Sequence, residues 1–251
     1  MKLNDFFNSE TKAAIAFSGG VDSSYLLYAA KKYGARVKAY YVKTQFQPEF
    51  EYNDAVKLAD ELNVEMKTIQ LDILENEDIA SNPKNRCYFC KQMILSKIKK
   101  QAADDGFMIL MEGTNASDDA GDRPGMAAIV ELSVVSPLRE CGLTKSEVRT
   151  LSREAGLFTW DKPSYSCLAT RIMNCGRITD EKLRRIENAE NKLFQMGFSD
   201  LRVRLYDNNA LLQFTADDID KALGKRKEIY KALSGYFEGI AFDLKEREKS
   251  K

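Results

Sequence analysis

The chain has 251 residues, 44% of them apolar, 38 Lys and Arg against 38 Asp and Glu, five Cys and no His. Its length allows one large domain or a large and a small one, its balanced charge argues against nucleic acid as partner, and no apolar run approaches the roughly 18 residues of a membrane span. Without imidazole there is no Ser-His-Asp triad, Cys-His pair, HExxH zinc site or His general base, so any chemistry falls to carboxylates, thiols, cations, backbone and bound ions.

KAAIAF (12–17) is a short apolar run of strand type, and SSYLLYAAKKYG (23–34) has helical spacing closed by Gly34. ARVKAYYVKT (35–44) predicts a second strand, DAVKLADELN (54–63) a helix and VEMKTIQLD (64–72) a third strand. A helix is expected after Cys90, then a fourth strand over GFMILMEGTN (106–115) and a fifth over VELSVVSPL (130–138). This alternation predicts an α/β fold, a parallel Rossmann-like sheet with ligands at the strands' carboxyl ends. From about Ile178 the character changes. TDEKLRRIENAENKLFQMG (179–197) is an amphipathic helix, FSDLRVRLYDNNALLQF (198–214) reads as a hairpin, and a helix over 216–233 with a strand near 236–243 completes a smaller α+β unit. The expected domains are 1–177 and 178–251.

AFSGGVDSS (16–24) falls between the first strand and the first helix. Its glycines let backbone approach a ligand closely. The N–H groups of Gly20, Val21, Asp22 and Ser23 would share one concavity at the helix's positive end, with hydroxyls from Ser18 and Ser23, making an anion cradle. GK[ST] is absent, so this is not a Walker A loop, and GxGxxG is absent too. EGTNASDDAGDRPG (112–125) ends the fourth strand, and Asp118, Asp119 and Asp122 offer oxygen ligands for Mg²⁺. Cys87 and Cys90 form a CxxC in NPKNRCYFCK (82–91), and Cys167 lies between Lys162 and Arg171 in WDKPSYSCLATR (160–171), where positive neighbours favour a thiolate.

SGGVDS resembles the PP-loop of ATP pyrophosphatases, which split ATP between its α and β phosphates. That resemblance implies ATP and Mg²⁺ as cofactors. Ser18, Gly19, Gly20, Val21 and Ser23 would hold phosphate, Asp22 the Mg²⁺, and the second-strand end from Tyr41 to Lys43, with Val42 at its centre, would meet adenine. Gly113, Thr114, Asn115 and Asp118 would form the second nucleotide segment. The cysteine motifs NPxxRCYxCK and KPSxxCLATR resemble the LarE family of ATP-dependent sulfur transferases. These adenylate a carboxylate of pyridinium-3,5-biscarboxylic acid mononucleotide and replace its oxygen by sulfur, toward the nickel-pincer cofactor of lactate racemase. The resemblance implies a small nucleotide-like substrate, no membrane or nucleic-acid partner, a cytoplasmic location and a trimer-based homo-oligomer, a trimer or a hexamer. With the CxxC pair and Cys167 the chain matches the three-cysteine type, in which the thiolates would hold a [4Fe–4S] cluster. Sacrifice of Cys167 itself and a Cys₄ zinc site including Cys175 stay open as alternatives. So do a tRNA-thiolating enzyme and a non-catalytic ATP- or metal-sensing module. Cys141 reads as a plain apolar filler. Arg171, with Arg202 and Arg204 alternating on one strand face, would bind the substrate phosphate.

Overall fold

The computed structural model describes residues 2–8, 10–118 and 125–248. Asp119 and Asp122 lie outside the described residues. The chain divides into two compact units, Met1–Ile73 with Asn85–Lys162, and Leu74–Lys84 with Pro163–Lys251.

The first unit is built on four parallel strands, β1 (Lys12–Ala16), β2 (Arg36–Lys43), β3 (Met66–Gln70) and β4 (Ile109–Glu112), in the order β3-β2-β1-β4. Side chains alternate between the faces of a strand, so a sheet covered on both sides needs unbroken apolar strands. β1 meets this with Ala13, Ala14 and Ile15, all fully buried. On one face Ile15 and Tyr41 pack with Leu26 and Leu27 of helix Val21–Lys32, Leu58 of helix Glu49–Glu61 and Val148 of helix Lys145–Glu154. On the other, Ala14, Tyr40 and Val42 pack with Leu95 and Ile98 of helix Arg86–Asp104. This is the expected α/β architecture. Strand order reverses direction at β1, leaving a crevice beyond the carboxyl ends of β1 and β4, where open α/β sheets bind ligands.

Two expected elements differ. The helix expected after Cys90 begins at Arg86 and carries both cysteines in its first turns. The apolar run 130–138 is no strand. Helix Gly125–Glu131 occupies its start, Ser133 turns the backbone to φ +54°, and Val135 makes a single bridge to Met111 before a short helix, Pro137–Glu140.

In the second unit, β5 (Arg202–Tyr206) and β6 (Asn209–Gln213) form the expected hairpin, and β7 (Ile240–Phe242) runs parallel to β6. Helix Asp180–Gln195 buries Leu183, Ile186, Ala189 and Leu193. The expected helix over 216–233 is two, Ala216–Gly224 and Arg226–Leu233. This unit starts at Pro163 rather than Ile178 and takes in residues 74–84. The reason is local pairing: Ile178 N–H donates to the Ala80 carbonyl at 2.8 Å, and Ile172 bridges to Leu205 of β5.

Candidate active site

The loop after β1 turns on Gly19, whose φ of +74° disfavours any side chain. A Cβ there would lie 3.0 Å from Ala55 Cβ and 3.2 Å from the Glu51 carbonyl. Gly20 caps helix Val21–Lys32. Ser18 Oγ and Ser23 Oγ are 3.1 Å apart, and Ser23 Oγ also donates to the Gly20 carbonyl at 3.1 Å. The first-turn N–H groups of a helix have no intrahelical acceptor, so this end attracts an anion.

The loop after β4 closes on it. A Cβ on Gly113 would lie 2.7 Å from the Ser23 backbone nitrogen, so glycine permits the two loops to touch. Asn115 Nδ2 then donates to Asp22 Oδ1 at 3.2 Å. Thr114 donates to Glu112 from both its N–H, at 3.0 Å, and its hydroxyl, at 2.7 Å. Asp118 Oδ2 accepts the Asn115 N–H at 3.1 Å, which fixes the turn. A residue not singled out above completes the group: Lys145 Nζ reaches Asp22 Oδ2 at 2.5 Å from the first turn of helix Lys145–Glu154. Thr144 and Glu147 form a capping box at that helix start. Val42 has its side chain in the core under helix Arg86–Asp104, so its main chain is what it offers a base.

Cys87 is exposed and Cys90 half-buried on helix Arg86–Asp104, at a spacing that places them on one helix face. Arg86, buried beside them, donates to Cys87 Sγ at 3.7 Å and stacks over Phe46 at 5.8 Å. Lys91 lies 3.9 Å from Glu112. Lys162, expected to favour the Cys167 thiolate, is instead held by Asp54 at 2.6 Å and Glu51 at 3.2 Å. Burial, the largest influence, raises the Glu51 carboxyl above its ordinary range despite that lysine. Cys141 has its thiol pushed up, chiefly by burial, in keeping with a packing role.

In the second unit Cys167 is half-buried at the start of a turn of 3₁₀ helix, Leu168–Arg171. Arg171 is only 1% exposed. Its Nε bonds Glu190 at 2.9 Å and its Nη1 bonds the Ser166 carbonyl at 2.7 Å, Thr170 Oγ1 at 2.9 Å and the Cys167 carbonyl at 3.3 Å. Tyr165 donates to Glu190 and lies under both Arg171 and Arg202, at 4.5 and 4.9 Å. Arg202 is buried too, donating to the carbonyls of Leu201 at 2.7 Å and Ser164 at 3.0 Å; burial, then Arg171 and Arg247, lowers it to about 10. Arg171 and Arg202 therefore brace the Cys167 turn. Arg204, half-buried, bonds Gln213 at 2.6 Å and the Thr170 carbonyl at 3.0 Å. Cys175 is exposed with φ +66°, its N–H donating to the Asn82 carbonyl at 2.8 Å. Within neither unit do three Cys, Asp or Glu side chains converge as a metal-binding group among the described residues.

Residues 12–91 match the family of queuosine biosynthesis protein QueC, a span that includes the loop after β1 and the CxxC. The uncharacterized protein slr1717 of Synechocystis sp. is 34% identical over 222 residues, 87% of this chain and 82% of its own length. The uncharacterized protein MJ0830 of Methanocaldococcus jannaschii is 30% identical over 93% of this chain and 89% of its own length. This chain belongs to their family. It is also 29% identical, over 93% of its length and 86% of the relative's, to pyridinium-3,5-bisthiocarboxylic acid mononucleotide synthase of Lactiplantibacillus plantarum. No helix among the described residues is long and apolar enough to cross a membrane.

Proposed function

We propose that the chain is an ATP-dependent sulfur transferase acting on a carboxylate of a small nucleotide-like molecule of the pyridinium-3,5-biscarboxylic acid mononucleotide class. The observation that carries this reading is the meeting of Asp22, Asn115 and Lys145 at the open end of helix Val21–Lys32, beyond the carboxyl ends of β1 and β4. The relative named for the bisthiocarboxylic acid product supports the sulfur half.

ATP phosphates lie against the Ser18–Ser23 loop, with Lys145 beside them and adenine against the main chain of β2 near Val42. Thr114 and Asn115 hold the second side. Asp22 presents carboxylate oxygens of the kind Mg²⁺ prefers, and the ion would neutralise charge on the departing pyrophosphate. A substrate carboxylate oxygen attacks the α phosphorus. The new O–P bond forms as the α–β bond breaks, and the electron pair leaves with pyrophosphate. Hydrosulfide then adds to the acyl carbon, AMP leaves with the C–O pair, and the proton passes to solvent. Loop N–H groups and Lys145 stabilise the negative charge that develops on phosphate oxygens.

Cys87, Cys90 and Cys167 are all free of disulfides. Three thiolates are the donor set of a [4Fe–4S] cluster with one iron unligated by protein, and such a cluster would supply bound sulfide. Arg171 fixes the Cys167 turn through its carbonyl. Arg204, the least buried of the three arginines, is the candidate for the substrate phosphate. The protein would act in the cytoplasm as a trimer-based oligomer.

With Mg-ATP and the pyridinium biscarboxylate nucleotide, the enzyme releases pyrophosphate and AMP, and Asp22→Ala abolishes this with the fold intact; ADP and phosphate as products would overturn the reading. Anaerobic reconstitution yields about four irons per chain, lost in Cys87→Ala, Cys90→Ala and Cys167→Ala but not in Cys141→Ala. Dehydroalanine at position 167 after one turnover, with Cys87→Ala still active, would replace the cluster by sacrifice of Cys167.

A further inference from the structure

Helix Lys145–Glu154 carries three cations at successive i, i+4 positions, Lys145, Arg149 and Arg153, so they share one face. Each has a different task. Lys145 holds Asp22. Arg149 Nη1 donates to the Trp160 carbonyl at 2.7 Å and Nη2 to the Lys162 carbonyl at 2.9 Å. Arg153 stacks over the Trp160 ring at 5.2 Å. A guanidinium fork bonded to two carbonyls two residues apart holds a chain segment in one register, which an ammonium cannot do.

The same segment is held from its other side. Lys162 Nζ is gripped by Asp54 and Glu51. Both carboxylates stand on helix Glu49–Glu61, and the Glu51 carbonyl and Ala55 of that helix are what a side chain at Gly19 would strike. Residues 160–162 are thus tied to the two helices that border the phosphate loop. Lys162 is also the last residue of the nucleotide-binding unit. Cys167 follows five residues later, so its Cα stays within about 18 Å of that of Lys162 whatever the intervening chain does.

We propose that Arg149 and Lys162 are positioning residues for sulfur transfer, fixing the point at which the chain leaves the nucleotide-binding unit for Cys167. This rests on the sulfur-transferase reading above. Neither residue is needed to bind phosphate or split ATP. Their loss frees residues 160–162 from both helices, so the chain no longer leaves toward Cys167 from a fixed point, and small misplacements of reacting groups cost large factors in rate.

The test uses the full chain with Arg149→Gln, Arg149→Lys and Lys162→Gln. Pyrophosphate release and thiocarboxylate formation are followed separately under Mg-ATP and the pyridinium biscarboxylate nucleotide, and amide exchange is read over 160–167. In Arg149→Gln, pyrophosphate release stays within about threefold of wild type with an unchanged KM for ATP, while kcat for thiocarboxylate falls by about tenfold or more. Arg149→Lys, which keeps one donor, lies between, and exchange quickens over 160–167 but not over helix Val21–Lys32. Proportional loss of both products, unchanged thiocarboxylate formation, or unchanged exchange would each overturn the inference. A wild-type chain that releases no pyrophosphate overturns the activity as well, which separates the two failures.

Discussion

Arg171 and Glu190 put two full charges where almost no water reaches, each 1% exposed and 2.9 Å apart. Such a pair stands only while both members stay and their remaining polar atoms are satisfied. Here Tyr165 and the Val203 N–H complete Glu190, and Ser166, Thr170 and the Cys167 carbonyl complete Arg171. Arg171→Met leaves an unpaired buried carboxylate, and urea unfolding should show a loss of about 3–5 kcal/mol. Asp105 is an acid-sensitive counterpart in the first unit. Hydrogen bonds from Lys67, at 2.9 Å, and then Lys38 hold its carboxyl far below the ordinary range. A depressed carboxyl stabilises the fold above the unfolded value near 3.9 and loses that contribution as pH falls toward the folded value. Asp105→Asn should therefore be less stable than wild type at pH 7, with the gap in unfolding midpoint narrowing as pH falls below about 4. The roles of these residues divide by how local their signal is. Asp22 and Asn115 stood out because each sits in a compact motif. Lys145 did not, since its partner is 123 positions away and a lysine after Thr144 looks like any helix start. Arg171 read as a ligand because nothing in CLATR discloses that Glu190 lies beneath it.

At the scale of elements, the sheet was legible because β1 to β4 are short apolar runs between helices of regular period. The run at 130–138 misled for a physical reason. Its apolar residues serve two short helices and one bridge, and the break at Ser133 needs a left-handed backbone that a serine does not advertise. The helix over 216–233 likewise hides its interruption at Lys225. The contact between the loops after β1 and β4 is the most confined point of the candidate site. Gly113→Ala would force a methyl to 2.7 Å from the Ser23 nitrogen. The loops must part, so the KM for ATP should rise by about tenfold or more while the circular-dichroism spectrum stays unchanged. An unaltered KM would show that the loops do not need to touch for ATP to bind.

For the molecule as a whole, neither compact unit is one continuous stretch of chain. A boundary near Ile178 follows from the change in sequence character there, whereas the folded boundary follows partners that lie far away in the chain: Ala80 for Ile178, Asn82 for Cys175, Leu205 for Ile172. If the assembly is trimer-based, light scattering at micromolar concentration should give a mass near three or six chains, and a stable 28.4 kDa species would count against it. A cut at residue 178 should not yield a soluble first part, because it strands Arg171 without Glu190 and residues 74–84 without their partners.

That excursion of residues 74–84 into the second unit also sets a schedule for synthesis. The stretch emerges from the ribosome early, yet the Asn82 side chain awaits the carbonyls of Ile172 and Met173, and the Ala80 carbonyl awaits Ile178. At about 5–20 residues per second, those partners appear on the order of 5–20 s later. Through that interval the nascent chain carries the buried Asn82 amide and the Ala80 carbonyl without their partners, a defined window in which chaperones can act on residues 80–82.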